Sequence, residues 1–282
     1  MGKTYAWLAV IIVLVVTAHV LWGESVSFVR DFGPGIASEV LGIIITLIFV
    51  QRILERRQHE ERARASRGGV RRAEDPLRDL AGLWAEIVKG CLERLPARPP
   101  STYQDLFASE WSSEVDYCDM TRVRYGWSDE TWAESSARVI SRARDQISAI
   151  LDLYGVHLNA HLIEVLDEVR DDPFLAHVET LGEQLRVGRE LYPDEIDVAD
   201  FVLSRTGPVR GKFLRTLMSA IELYNEAGAG GSSISELPDG LWAPGHVPSP
   251  GDLRADREAP EPAAGPDLSL PDMGGEGWAK RD

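Results

Sequence analysis

His157, His161 and Glu164 are the residues of this 282-residue chain whose spacing most resembles a metal-binding set. Intervals of four and three residues place them on one face of a helix, and imidazole and carboxylate groups are ligands of transition metals. A helical di-iron site needs a second Glu-x-x-His pair and two further glutamates, which the sequence lacks. Two interpretations follow: a metal site at these three residues or, as the sequence favours, two surface histidines beside a glutamate.

A second set of polar and small residues lies within apolar sequence. His19 is near the end of one apolar stretch, and Glu39 is near the beginning of the next. If the stretches form antiparallel membrane helices, the two side chains reach a similar depth, where an ionisable residue is a functional candidate. The alternative places both in the hydrated headgroup zone. Ser38 and Gly42, four residues apart, predict a small-residue face for helix packing.

The sequence contains none of the common catalytic signatures. The P-loop, the dinucleotide-binding GxGxxG, the GxSxG elbow, the HExxH zinc motif and paired CxxC motifs are absent. The two cysteines, Cys91 and Cys118, have 26 residues between them, which is not a metal-site spacing, so we expect buried, inert thiols. No cofactor is predicted, and the sequence leans against an enzyme.

Two apolar stretches predict a transmembrane hairpin in residues 1–51. Residues 5–22 carry no formal charge and suffice to cross a bilayer, with Trp7 and Trp22 at the interfaces. Residues 34–52 form the predicted second span, which begins at a proline suited to a helix start. Because the connection between the spans is short, the two helices must be antiparallel.

Basic residues determine the predicted orientation. The loop between the spans carries Glu24, Arg30 and Asp31, whereas the other side carries Lys3 and then residues 52–73, with eight arginines and three glutamates. The positive-inside rule places both termini in the cytoplasm, and we call residues 52–73 the arginine segment. We expect this segment to continue the second helix as a coiled-coil-like juxtamembrane helix and to contact anionic lipid headgroups. Its arginines are Arg52, Arg56, Arg57, Arg62, Arg64, Arg67, Arg71 and Arg72.

The formal charge of −15 is distributed unevenly. Residues 74–226 contain 16 basic and 29 acidic residues, and residues 227–282 contain 4 and 10. This acidic balance excludes a basic nucleic-acid-coating protein and disfavours nucleic acid as a partner. The acidic surface is either solvated or a docking face for a basic partner. The excess of arginine over lysine, 26 to 4, indicates a GC-rich bacterium.

The fold class predicted is all-α, with the hairpin followed by a helical bundle over residues 74–226. Apolar residues recur there at intervals of three and four, without an alternating strand pattern. Residues 227–282 contain half of the 16 prolines and 10 of the 25 glycines, which predicts an acidic, disordered tail. Helix starts are expected at Asp75-Pro76, Ser128, Asp172-Pro173 and Gly207-Pro208.

Two stretches resemble uncharacterised bacterial two-span membrane proteins with a C-terminal cytoplasmic helical domain. The sequence EVLGIIITLIFVQRILERR, residues 39–57, resembles their second span, in which a glutamate precedes a helix that runs into a charged cytoplasmic helix. Residues 151–175, from LDLYG to DDPFL, resemble their helical part. The resemblance implies the layout but no activity, so it assigns no functional residue.

The function that these observations predict is a helical interaction, scaffold or sensor module at the cytoplasmic face of the bacterial inner membrane. The expected partners are the bilayer, anionic lipid headgroups and an unidentified protein, or a second copy of the chain bound through the hairpin. Two alternatives stay open. One is a metal-dependent helical-bundle enzyme that uses His157, His161 and Glu164, and the other is an oligomeric channel or transporter subunit.

Overall fold

The computed structural model describes residues 27–108, 110–124, 129–191, 201, 203, 206–228, 233–243 and 245–255. Within these ranges the chain is helical, and extended pairing is limited to isolated bridges between single residues. The all-α prediction is therefore confirmed for the described part of the chain. Residues 5–22, the first predicted span, lie outside it.

The described residues contain six α-helices and two 3-10 helices. The α-helices are α1 Ser27–Cys91, α2 Tyr103–Ala108, α3 Trp132–Tyr154, α4 Ala160–Arg170, α5 Pro173–Leu191 and α6 Gly207–Ala227. The 3-10 helices are Glu110–Tyr117 and Gly155–His157. In the bundle, α3 packs against α4 and α5, while α6 packs against α4 and α5.

Helix α1 continues for 65 residues. The prediction that the arginine segment extends the preceding helix is confirmed, but the predicted helix start at Asp75-Pro76 is wrong. Proline normally interrupts a helix because it lacks an N–H and its ring crowds the preceding turn. Here the flanking Ala73, Leu77 and Leu80 are fully buried, and this packing maintains the helix through Pro76.

The chain divides into two units, Met1–Arg67 and Gly68–Asp282, and the division falls within α1. The first unit contains the described part of the predicted second span, residues 34–52. Among the helices that the structure describes, none is both long enough and apolar enough to cross a membrane.

An aromatic cluster lies at the centre of the second unit. The ring of Trp84 on α1 lies 4.9 Å from that of Phe174 on α5 and 5.9 Å from that of Phe213 on α6, between ring centroids. The two phenylalanine rings are 5.6 Å apart. All three side chains are almost completely buried. Their packing joins three helices that are distant in the sequence.

Polar side chains cap the starts of α3, α4 and α5, whereas α6 begins without a side-chain cap. Helix α3 begins after Thr131, whose side chain accepts a hydrogen bond from the Glu134 N–H in a reciprocal capping box, rather than after Ser128 as predicted. Ser128 itself lies outside the described residues. The predicted starts at Asp172-Pro173 and Gly207-Pro208 are confirmed, because α5 and α6 begin there.

The predicted tail, residues 227–282, is wrong for residues 233–243 and 245–255, which we call the C-terminal strap. The strap forms no helix, yet Ile234, Leu237, Leu241 and Leu253 are buried in the core of the second unit. The last helix that the structure describes ends at Ala227, next to the predicted bundle boundary at residue 226, but the packed core continues into the strap. Residues 256–282, with Trp278, lie outside the described residues.

Long-range backbone hydrogen bonds hold the strap in place. The Leu253 N–H donates to the Gly90 carbonyl at 3.0 Å, and the Leu253 carbonyl accepts from the Asp119 N–H at 2.7 Å. The Leu237 N–H donates to the Ser101 carbonyl at 2.9 Å. Proline and glycine therefore limit helix formation here without preventing burial, because the strap's order comes from contacts with residues more than 100 positions away.

Removal of the Leu253 side chain tests whether the strap belongs to the folded unit. Leu253→Ala should lower the free energy of unfolding by about 2–5 kcal/mol, because a fully buried leucine leaves a cavity. Leu153→Ala, at a side chain that is 62% exposed, is the matched control and should change it little. Urea unfolding followed by tryptophan fluorescence measures both. Equal, small effects would mean that residues 233–255 behave as the predicted tail.

Helices α1 and α3 approach closely at Gly69. A Cβ atom at Gly69 would lie 2.7 Å from the Cβ of Tyr154, which is shorter than any normal contact. At the neighbouring Gly68, a Cβ would lie 3.6 Å from Cε1 of Tyr154, an ordinary van der Waals distance. Only the second glycine of the pair is therefore required by the packing.

This difference predicts opposite effects of two adjacent substitutions. Gly69→Ala should destabilise the protein by about 1–3 kcal/mol through overpacking. Gly68→Ala should stabilise it by about 0.5–1 kcal/mol, because alanine is the better helix former. Thermal unfolding of the two variants measures the sign of each change. Similar changes at both positions would contradict the close approach of α1 and α3.

Candidate functional site

The first candidate surface is an exposed apolar band on α1. Its members are Ile43, Ile45, Leu47, Phe49, Val50, Ile53 and Leu54, with exposed fractions between 41% and 66%. Successive residues of an α-helix are rotated by about 100°, so Ile43 and Ile45 lie roughly 200° apart around the helix axis. We call the exposed apolar residues on these two sides of the helix the Ile43 stripe and the Ile45 stripe. Apolar side chains are therefore exposed on opposite sides of this part of α1, whereas Ile44 between them is buried.

The arginine segment follows the apolar band along the same helix. All eight of its arginines are exposed. Arg56 forms an i,i+4 ion pair with Glu60 at 3.2 Å, while the Arg67 Nε donates to the Ala63 carbonyl. The Arg72 guanidinium lies over the ring of Tyr154, 5.3 Å from its centroid. These contacts leave a continuous series of accessible positive charges for an anionic partner.

The structure tests little of the predicted intramembrane set. Glu39 is exposed on α1, but its predicted partner His19 lies outside the described residues. The backbone of Ser38 is helical, and a Cβ at Gly42 would meet none of the described atoms within 4 Å. The polar pair and the packing face both stay predictions.

The predicted metal-binding set is not assembled on one helical face. His157 ends the 3-10 helix Gly155–His157, and α4 begins only at Ala160, after the extended Leu158 and the N-cap Asn159. The prediction of a shared face is therefore wrong, because the chain changes direction between the two histidines. His161 and Glu164 do share α4, where His161 Nδ1 lies 3.8 Å from Glu164 Oε2 with both side chains exposed.

No group of three or more His, Cys, Asp or Glu side chains within the described ranges is arranged to hold a metal ion. His161 and Glu164 are thus surface residues at the start of α4, as the favoured interpretation expects. His157, His161 and Glu164 therefore do not form the three-residue set that the metal-dependent alternative uses.

A polar groove lies along α3 and α5, with a volume of about 740 Å³. Its walls carry three arginines, Arg138, Arg186 and Arg189, among five acidic residues. The acidic residues are Asp129, Glu130, Glu134, Glu179 and Glu183. The sequence predicts an acidic surface but does not indicate this groove, because nothing in the local pattern shows that α3 and α5 face each other.

Each arginine of the groove already has a carboxylate partner. Arg138 donates two hydrogen bonds to Glu130, at 3.0 and 2.8 Å. Arg186 donates to Glu183 on the same helix, and this hydrogen bond lowers the pKa of the Glu183 carboxyl. Arg189 joins α5 to Glu134 at the start of α3, at 3.2 Å. The groove therefore offers charged groups to a polar partner.

A second charged cluster lies where the strap covers the end of α1. The buried Lys89 donates to the His246 carbonyl at 2.8 Å, and burial lowers the pKa of its ammonium group. Burial also raises the pKa of the nearby Glu86 carboxyl, although Arg124 donates to it at 2.8 Å. These interactions hold α1, the loop before α3 and the strap together, so we assign them a structural role.

Comparison of the chain with protein-family models, with curated proteins and with solved structures gives no match. A functional assignment therefore depends on the surfaces described above.

Proposed function

We propose that this chain is a bacterial inner-membrane protein that presents a helical interaction module, acting as a scaffold or sensor, at the cytoplasmic face. One observation carries the proposal: the exposed apolar band and the exposed arginine segment follow each other on α1. Residues 5–22 and 34–52 act as two spans in it, with both termini in the cytoplasm.

The apolar band supports a membrane environment on energetic grounds. Apolar side chains left in water forgo about 25 cal/mol per Å² of favourable burial, and seven large ones are exposed within twelve residues of α1. Lipid chains cover such a helix on all sides at once. A docked helix covers a single stripe, so it would leave either the Ile43 or the Ile45 stripe in water.

The arginine segment supports an orientation and a lipid partner. Each arginine near an anionic membrane surface contributes about 1 kcal/mol. The second unit is strongly acidic, so an anionic surface would repel it without these basic residues in between. The arginine segment thus separates an acidic module from an acidic membrane while holding the two in proximity.

The polar groove on α3 and α5 supports an interaction role for the module. Its three arginines are paired with carboxylates of the protein, and a partner with charges of both signs can form ion pairs in place of these. Self-association through the hairpin is a further expected contact, which the small residues Ser38 and Gly42 would allow.

Alkaline extraction of membranes tests the anchor. The full-length chain should stay in the membrane pellet, whereas substitution of Ile45, Leu47 and Phe49 by aspartate should reduce its retention. An aspartate at the centre of a span costs about 2.5–3.5 kcal/mol on insertion scales. The matched control carries aspartate at Leu153, Val156 and Leu191, which are exposed apolar residues of the second unit, and should be retained like the native chain.

Two outcomes would contradict the proposal. Release of the native chain into the alkaline supernatant would exclude an integral anchor. Full retention of the variant with a charged band would remove the role assigned to α1 and leave any anchoring to residues 5–22.

A further inference from the structure

Most of the positive charge in residues 52–67 lies on one face of α1. This part of the helix contains six arginines, all of them exposed, and three glutamates. Because each residue is rotated by about 100° from the one before it, five of the six arginines fall within an arc of about 140°. We call these five the arginine stripe: Arg52, Arg56, Arg57, Arg64 and Arg67. Arg62 lies on the opposite side of the helix.

The arginine stripe is only partly neutralised within the protein. Arg56 forms an ion pair with Glu60 at 3.2 Å, and Glu60 lies within the same arc. Within the ranges that the structure describes, Arg52, Arg57 and Arg64 form no ion pair. The stripe is therefore an unpartnered helix face with a net positive charge and one exposed carboxylate.

The far end of the stripe lies beyond the reach of lipid headgroups. In the proposed function, on which this inference rests, the second span ends at residue 52. A helix rises about 1.5 Å per residue, so Arg64 and Arg67 lie about 18 Å and about 22 Å further along α1. The headgroup layer is about 5–8 Å thick, and salt screens charges over about 8 Å. The Arg67 Nε also donates to the Ala63 carbonyl, which holds this side chain against its own helix. An anionic surface in the aqueous phase is therefore the better partner for these two arginines.

The groove on α3 and α5 has the opposite charge. Its walls carry three arginines and five acidic residues, an excess of two negative charges. Each wall is one face of a helix, because its residues recur at intervals of three and four. They are Glu134, Ala137, Arg138 and Ser141 on α3 and Glu179, Gly182, Glu183 and Arg186 on α5.

Small residues form the floor of this groove. A Cβ atom at Gly182 would lie 2.5 Å from the Cβ of Ala137, so α3 and α5 approach closely there, and Ser141 further along α3 is exposed. From Glu179 to Arg189 the groove extends about 15 Å along α5, which is two to three helical turns. A third helix can therefore lie between α3 and α5, with its long side chains reaching both walls.

We propose that the arginine stripe of one copy of the chain docks in the groove on α3 and α5 of a second copy. The charges are complementary: the stripe brings an excess of arginines to a groove with an excess of carboxylates, and its Glu60 can pair with an arginine of the wall. Exposed ion pairs are individually weak, but several form together here. Two copies anchored in one membrane also meet at a high effective concentration.

Sedimentation velocity of the full-length chain in a neutral detergent measures this contact, whether or not the chain is anchored in a membrane. The native chain should self-associate in about 0.1 M salt and dissociate in about 1 M salt, because the screening length falls from about 10 Å to about 3 Å. The double variant Arg64→Glu, Arg67→Glu should raise the dissociation constant by about tenfold or more. Ser141→Trp should do the same without a change of charge, because the indole fills the floor of the groove.

Mixing two variants tests whether the contact joins different copies. The groove variant Asp129→Arg, Glu183→Arg should associate as weakly as the stripe variant, Arg64→Glu with Arg67→Glu. A mixture of the two should regain association, because the native groove of one variant meets the native stripe of the other. The matched control is Arg62→Glu on the opposite side of α1, which should behave like the native chain. All the substituted residues are exposed, and circular dichroism confirms that each variant is folded.

Three results would overturn the proposal. They are a native chain that is monomeric in low salt, self-association that none of the stripe and groove variants weakens, and a stripe variant that loses only its binding to vesicles of anionic lipid. The last result would make Arg64 and Arg67 lipid contacts alone. Alkaline release of the chain from membranes would remove the proposed anchor but would leave the sedimentation result interpretable, so the two failures are distinguishable.

Discussion

The end of α1, from Leu77 to Cys91, has buried apolar side chains over more than half of its circumference, and other segments must cover this surface. Each neighbour covers one part of its circumference. Phe174 of α5 and Phe213 of α6 pack on Trp84, and Leu253 of the strap packs at Gly90. A Cβ at Gly90 would lie 2.6 Å from the Leu253 side chain, so the glycine is needed for the strap to seat. The need to cover the apolar surface of α1 therefore determines how α5, α6 and the strap pack in the second unit.

The same requirement explains which parts of the fold the sequence could predict. Helices α5 and α6 begin where Asp172-Pro173 and Gly207-Pro208 provide local start signals. Pro76 misled the prediction because tertiary burial of the flanking residues outweighs the local cost of proline. The sequence did not predict that the strap is folded. Its proline and glycine content indicates only that it forms no helix, whereas its ordered structure depends on its contacts with α1. Its isolated large apolar residues, Leu241 and Leu253 among them, were the available signal.

The candidate sites also differ in whether the local sequence could predict them. The exposure of the arginine segment could be predicted from the local sequence. The segment has too few glutamates to neutralise its arginines, so these charged side chains stay in solvent. The groove on α3 and α5 depends on segments that meet only in the folded chain. Conversely, His157 and His161 have a suitable spacing in sequence, but the turn at Leu158 and Asn159 separates them. Spacing predicts a site only when the helix is continuous.

In the proposed function, α1 joins a membrane hairpin to a helical module in the cytoplasm. Cysteine substitution at Glu24, in the loop between the predicted spans, and at His59, in the arginine segment, tests it with a membrane-impermeant maleimide. The native thiols are buried, so the unsubstituted chain is the blank. We predict labelling of Glu24→Cys in spheroplasts and labelling of His59→Cys only after permeabilisation. Labelling of His59→Cys from outside, or of both positions only after lysis, would contradict the account.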